Sequence, residues 1–216
     1  MAYDTILFDL DGTLTDPQEG IVNCIVHALT QMDVKIPPRP AIKASIGPPL
    51  RDAFAYFLMS TDHAVIERAV TLYRERFTTV GLYENEVYPG ISALLELLHA
   101  NGKKLILATS KPRIYAQQIL MHFGLLPNFH AVYGPELDGT RDRKNELIAY
   151  IVSRHALDTS RTVMIGDRGV DMTAAYSNGI AGIGVGWGYG TKDELTLAGA
   201  RFVCTIPNEL LQIIVK

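Results

Sequence analysis

The chain has 216 residues, 48% of them hydrophobic, long enough to bury a full core as one large domain or as one domain with a smaller companion. Its 20 Lys and Arg against 23 Asp and Glu leave a net charge of −3 with the signs interspersed, so nothing electrostatic favours a nucleic-acid polymer or an anionic membrane as partner. The N-terminal residues lack a basic segment followed by an apolar signal core, and no apolar run is long enough to span a membrane, so a cytoplasmic protein with small-molecule partners is expected.

The apolar run at residues 5–8 predicts a buried parallel strand. Asp9-Leu10-Asp11-Gly12-Thr13 then places two carboxylates two residues apart where that strand ends, with Gly12 as the breaker. In open α/β sheets ligands bind beyond the carboxyl ends of strands, so both acids stand where a reactive pair is useful. Asp16-Pro17-Gln18-Glu19 reads as a helix start with Asp16 as N-cap. Ile21, Val22, Ile25, Val26, Leu29 and Met32 form one apolar face of that helix. Residues 34–49, with five prolines, predict a loop or bend, and helical patterns resume over 50–59 and 61–80. The absence of a convincing strand from 16 to about 81 predicts an all-helical insertion above the Asp9 and Asp11 tip, where a lid belongs.

Strand-like runs at 104–108, 129–133, 162–165, 180–185 and 201–205 follow, alternating with helical patterns at 89–100, 112–123, 144–154, 171–178 and 191–198. The alternation predicts an α/β fold, a doubly wound parallel Rossmann-like sheet core of residues 1–15 and 82–216 carrying a small all-helical cap of residues 16–81 inserted after the first strand. Cys24 and Cys204 lie in apolar surroundings and are expected as reduced core thiols. The glycines between Gly182 and Gly190 run through a strand without the helix-opening fingerprint of a dinucleotide site, and the six histidines are too scattered for a metal cluster.

Polar groups recur at the strand ends. Thr109-Ser110 ends one strand, Gly166-Asp167 ends another with Asp171 four residues on, and Lys144 opens the helix after Tyr133. Thr109 and Ser110 also fit as caps of the helix that Pro112 begins, and Asp171 as N-cap of the helix ahead of it. Together these groups suit a cation and phosphate site: hard oxygen ligands favour Mg²⁺, and a hydroxyl and an ammonium hold phosphoryl oxygens.

The stretch from Asp9 to Asp16, then Thr109-Ser110, then Lys144, then Gly166-Asp167-Arg168-Gly169-Val170-Asp171 resembles, in that order, the four motifs of the haloacid dehalogenase superfamily, in particular its Mg²⁺-dependent phosphatases. The resemblance covers nearly the whole chain, and the helical insertion resembles the family's mobile cap. It implies that Asp9 attacks phosphorus and becomes a phospho-aspartate, and that Asp11 protonates the leaving alkoxide and then activates water. It further implies Mg²⁺ held by Asp9, the backbone carbonyl of Asp11 and Asp167, with Asp171 acting through water or from the outer shell. Thr109, Ser110 and Lys144 would bind the phosphoryl group.

Asp11 argues against the dehalogenases and phosphonatases of the superfamily, which lack an aspartate at that position. β-Phosphoglucomutases carry a histidine where this chain has Ile21, which makes a phosphotransferase the lesser alternative. Ile46-Gly47-Pro48-Pro49-Leu50, Gly186-Trp187-Gly188-Tyr189-Gly190 and Asp138-Gly139-Thr140-Arg141 resemble the phosphoglycolate phosphatase branch, some of whose members are 5′-nucleotidases. The expected partner is a small phosphorylated metabolite, phosphoglycolate first and nucleoside monophosphates second, acted on by a monomer or homodimer. Asn23, Gly47 and Arg51 are the candidate substrate contacts in the cap. A phospho-acceptor signalling module also combines a doubly wound sheet, clustered acids, a hydroxyl and a lysine; the Gly12-Thr13 continuation after Asp11 and the cap insertion argue against it.

Overall fold

The computed structural model describes residues 3–215, which form two compact units: Pro17–Glu86, and the segments on either side of it. The flanking segments supply β1 (Thr5–Phe8) and β2 (Thr15–Asp16) before the insertion. The insertion contains α1 (Gln18–Gln31), α2 (Arg39–Lys43), α3 (Leu50–Leu58), α4 (His63–Arg76) and a π-helical turn, Phe77–Gly81. After β3 (Glu86–Val87) come α5 (Ile91–Ala100), β4 (Lys104–Ala108), α6 (Arg113–His122), β5 (Ala131–Tyr133) and α7 (Lys144–Arg154). The chain finishes with β6 (Thr162–Gly166), α8 (Gly169–Ser177), β7 (Ala181–Val185), α9 (Lys192–Leu197), β8 (Phe202–Cys204) and α10 (Pro207–Ile214).

Six strands pair in the order β5-β4-β1-β6-β7-β8, all parallel, while β2 and β3 pair separately. The central strand β1 is apolar on both faces because both are covered: Leu7 packs with Ile106 and Met164 against Leu147, Ile148 and Ile151 of α7 and Ala174 and Ala175 of α8. The alternate residues Ile6, Phe8, Leu105, Leu107, Val163 and Ile165 are buried too, as the two-residue strand period requires. Phe8 meets Phe129 edge to face at 6.3 Å. From β1 the chain builds outward to β4 and β5 on one side, then returns to build β6, β7 and β8 on the other. That reversal is the topological switch point beyond which doubly wound sheets bind ligands.

The helical unit has its own core. Ile21, Val22, Ile25 and Leu29 of α1, Phe54 and Phe57 of α3, and Ala69, Val70 and Tyr73 of α4 are buried. Tyr73 meets Phe54 edge on at 6.2 Å and stacks on Phe77 at 5.3 Å. Asp62 caps α4, accepting from the Ala64 N–H at 2.8 Å. Arg76 donates to both carboxylate oxygens of Glu84, at 2.7 and 2.9 Å, and Asn23 donates to Glu84 at 3.3 Å.

Three local expectations need correction. Asp16 is no N-cap: it lies in β2, Pro17 occupies the cap position of α1, and the Asp16 carboxylate accepts from the Tyr189 hydroxyl. The proline-rich stretch is not all loop, since α2 forms with Pro40 in its first turn, where a missing N–H is harmless. The long helix of the insertion leaves α-helical geometry at Phe77 and finishes as the π-turn. Cys24 and Cys204 are buried thiols outside any disulfide, and no helix among the described residues is long and apolar enough to cross a membrane.

Candidate active site

Three adjacent strands aim their ends at one place: Asp9 and Asp11 follow β1, Thr109 follows β4 and Asp167 follows β6. The Asp9 N–H donates to the Ile165 carbonyl at 2.9 Å, which carries the ladder one residue past β1 and fixes where the first carboxylate departs. Gly12, at φ +84°, then reverses the chain so that Thr13 and Leu14 donate back to the Leu10 carbonyl at 3.1 and 2.8 Å. Lys144 opens α7 and Asp171 stands in the first turn of α8.

Lys144 Nζ lies 2.9 Å from Asp9 Oδ1 and 2.8 Å from Asp171 Oδ1, with its side chain 1% exposed. One buried ammonium is thus shared between two buried carboxylates. Asp9, Asp167 and Asp171 offer carboxylate oxygens within 4.8 Å of one another. Burial and the repulsion of Asp171 and Asp9 push the Asp167 carboxyl up to about 8. Burial also pushes the Asp171 carboxyl up, against the pull of Lys144. In return, Asp171 and Asp9 raise the Lys144 ammonium above its ordinary value despite burial. One lysine against three buried carboxylates leaves an excess of negative charge, and the clustered hard oxygen donors fit Mg²⁺.

Asp167 is held tightly. Its oxygens accept from Thr13 Oγ1 at 3.2 Å and from the Tyr189 N–H at 2.8 Å. The turn after β7 comes so close that a Cβ on Gly188 would lie 2.4 Å from the Asp167 Cβ and 2.3 Å from the Gly12 carbonyl. Trp187 Nε1 donates to the Thr13 carbonyl at 3.0 Å, so the same turn also clamps the loop after Asp11.

Asp11 pairs with Lys111, Nζ to Oδ2 at 2.6 Å. Burial raises the Asp11 carboxyl, the Lys111 charge opposes this, and the Asp9 charge adds to the rise; the balance is upward. An upward-shifted carboxyl beside a candidate nucleophile has the character of a general acid.

Thr109 is buried, and its Oγ1 accepts from the Lys111 N–H at 3.2 Å rather than capping α6, whose cap position is Pro112. Ser110 is half-buried in the same loop. Asp171 is not the N-cap of α8: it is the third helical residue, and its Oδ2 accepts from the Arg168 N–H at 3.2 Å. In the helical unit, Asn23 is engaged by Glu84, Arg51 pairs with Glu67, and Gly47 sits in a loop at φ +110°. Sequence reasoning missed Lys111, although it directly follows Thr109-Ser110 at a strand end. It also missed the tie from the Gly186–Gly190 turn to Asp167 and Asp16; the aromatic residues alternating with glycine there were the available signal.

The model of the haloacid dehalogenase-like hydrolase family matches residues 6–185. The chain belongs to the haloacid dehalogenase-like hydrolases. It is 44% identical over 99% of its length, and 96% of the relative's, to a Pseudomonas aeruginosa protein named 5′-nucleotidase. A Caulobacter vibrioides phosphoglycolate phosphatase is 30% identical over 92% of this chain and 85% of its own. The crystal structure of a predicted phosphatase from Clostridium acetobutylicum matches with a TM-score of 0.94 and 37% identity, covering 100% of this chain and 99% of that one. This haloacid dehalogenase-like hydrolase is a phosphoric monoester hydrolase.

Proposed function

We propose that the chain hydrolyses a small phosphomonoester in an Mg²⁺-dependent reaction through a phospho-aspartate on Asp9. The observation that carries this reading is the convergence of Asp9, Asp167, Asp171 and Lys144 beyond adjacent parallel strands, with the Asp11 carboxyl two residues from Asp9. Asp9 attacks phosphorus as the ester P–O bond breaks, while Asp11 delivers its proton to the departing oxygen. The Asp11 carboxylate then takes a proton from the water that attacks the phospho-aspartate, which restores Asp9 and releases phosphate. Lys144 neutralises charge on Asp9 and the incoming phosphoryl oxygens, and the Thr109-Ser110 loop supplies hydrogen-bonding groups to them. Mg²⁺ would be held by Asp9, Asp167 and the Asp11 carbonyl, with Asp171 beside them, and would supply the positive charge that lets a carboxylate approach a phosphate dianion.

Both relatives' substrates are carried into this reading. Nucleoside 5′-monophosphates come first, because the 44% relative named 5′-nucleotidase matches almost the full length of both chains. Phosphoglycolate comes second, on the 30% relative. A mutase reading loses ground because Ile21 is a buried apolar residue of α1 with no group to handle a proton.

The test is phosphate release from a panel of nucleoside monophosphates, phosphoglycolate, sugar phosphates and phosphotyrosine, with and without Mg²⁺, for wild type and Asp9→Asn. Turnover that needs Mg²⁺ and falls at least about a thousandfold in Asp9→Asn is expected. Full activity in Asp9→Asn, or in metal-free enzyme, would contradict the reading.

A further inference from the structure

The site holds two buried lysines, and the phosphatase reading gives work to one. Lys144 is engaged by Asp9 and Asp171, whereas Lys111 Nζ meets Asp11 Oδ2 at 2.6 Å with its side chain 5% exposed. The other Asp11 oxygen, Oδ1, is buried without a hydrogen-bond partner among the described residues. An ammonium group only donates, and the carbonyl oxygen of a carboxyl group accepts better than its hydroxyl, so an acid proton on Asp11 is favoured on Oδ1, away from the oxygen that Lys111 occupies. The base of Lys111 is also fixed in place. Its N–H donates to Thr109 Oγ1 at 3.2 Å, Thr109 N–H donates to the Tyr133 carbonyl at 3.1 Å, and Arg113 N–H to the Pro135 carbonyl at 3.0 Å. Gly134 presses so close that a Cβ there would lie 2.2 Å from the Lys111 carbonyl oxygen.

Resting on the phosphatase reading, we infer that Lys111 is a positioning residue for Asp11: by holding Oδ2 it confines the transferable proton to Oδ1. In the first half-reaction that proton passes from Oδ1 to the ester oxygen as the Asp9–phosphorus bond forms and the ester bond breaks, releasing a neutral alcohol. In the second half-reaction a proton of the attacking water returns to Oδ1 as the Asp9–phosphorus bond breaks. Lys111 touches neither the phosphoryl group nor the leaving group; its effect is carried by Asp11.

Leaving groups of different stability test this. An alkoxide needs a proton to depart, whereas p-nitrophenolate does not, and kcat/KM reports only the steps up to departure of the leaving group. Lys111→Met should lower kcat/KM for glycerol 2-phosphate roughly tenfold or more and change it less than about threefold for p-nitrophenyl phosphate. Lys111→Arg should restore most of the loss. In an Asp11→Asn background Lys111→Met should add almost nothing, because it acts through Asp11. Equal losses on both esters, or additive losses in the double variant, would overturn the inference while leaving the phosphatase reading intact. So would a loss confined to phosphoglycolate, which would make Lys111 a contact for substrate charge. A wild type inactive on both esters and on nucleoside monophosphates and phosphoglycolate would overturn the two together.

Discussion

At the residue scale, Asp167 is the clearest test of how the site stores charge. Burial beside Asp171 and Asp9 pushes its folded carboxyl up to about 8 from an ordinary value of 3.8. Between those two values the folded metal-free protein binds a proton that the unfolded chain releases. Stability therefore falls as pH rises from about 4 toward 8. Asp167→Asn removes that ionisation, whose cost builds up across the whole range. It should raise the metal-free melting temperature by roughly 3–6 °C at pH 8.5, about 1–2 kcal/mol, and by about half as much near pH 6. Mg²⁺ should stabilise the wild type and release protons on binding below pH 8, and it should leave Asp167→Asn almost unaffected. Melting curves at the two pH values, with and without Mg²⁺, check all of this. A destabilised metal-free Asp167→Asn at pH 8.5 would mean that the hydrogen bonds from Thr13 and Tyr189 outweigh the repulsion.

At the scale of elements, the turn after β7 is a clamp rather than a connector. A methyl group on Gly188 has no room against Asp167 and the Gly12 carbonyl, both of them backbone or tightly held. Gly188→Ala should destabilise the protein by about 2–4 kcal/mol and weaken Mg²⁺ binding at least roughly tenfold, by calorimetric titration. Tyr189→Phe is the contrast: it removes the hydroxyl that Asp16 accepts but keeps the N–H on Asp167, so Mg²⁺ affinity should change less than about threefold. Residues 5–13, 104–110 and 162–167 were legible from sequence because apolar runs ending in glycine, hydroxyl or acid state both the strand and its tip. Asp16 was misread because an N-cap signal is local, whereas the Tyr189 hydroxyl that engages it lies 173 residues away in sequence. Lys111 stayed hidden for a similar reason: between a serine and a proline it looks like an ordinary loop charge, and its burial against Asp11 is a tertiary fact. Asp171 stands three positions inside α8 from the cap it was expected to be, because Arg168, an unusual cap residue, precedes the helix.

At the scale of the whole molecule, each unit carries its own core, and the chemistry is concentrated in the unit with the sheet. Phe54 is fully buried in the helical unit, so Phe54→Ala should cost about 3–5 kcal/mol in thermal unfolding. The sheet unit gathers its polar groups by topology: strands distant in sequence become neighbours at the switch point, and their ends bring Asp9, Asp11 and Asp167 to one place, with Asp171 and Lys144 added by the helices α8 and α7. The central claim is that Asp9 carries the phosphoryl group. The most direct measurement is intact-mass and peptide analysis of acid-quenched Asp11→Asn enzyme mixed with p-nitrophenyl phosphate and Mg²⁺. That variant loads without needing an acid but lacks the base that clears the intermediate. The account predicts one added phosphoryl group, mapped to Asp9 and absent from the Asp9→Asn, Asp11→Asn double variant. A nitrophenolate burst with no phosphoryl group on the protein, or with the group on another residue, would contradict it.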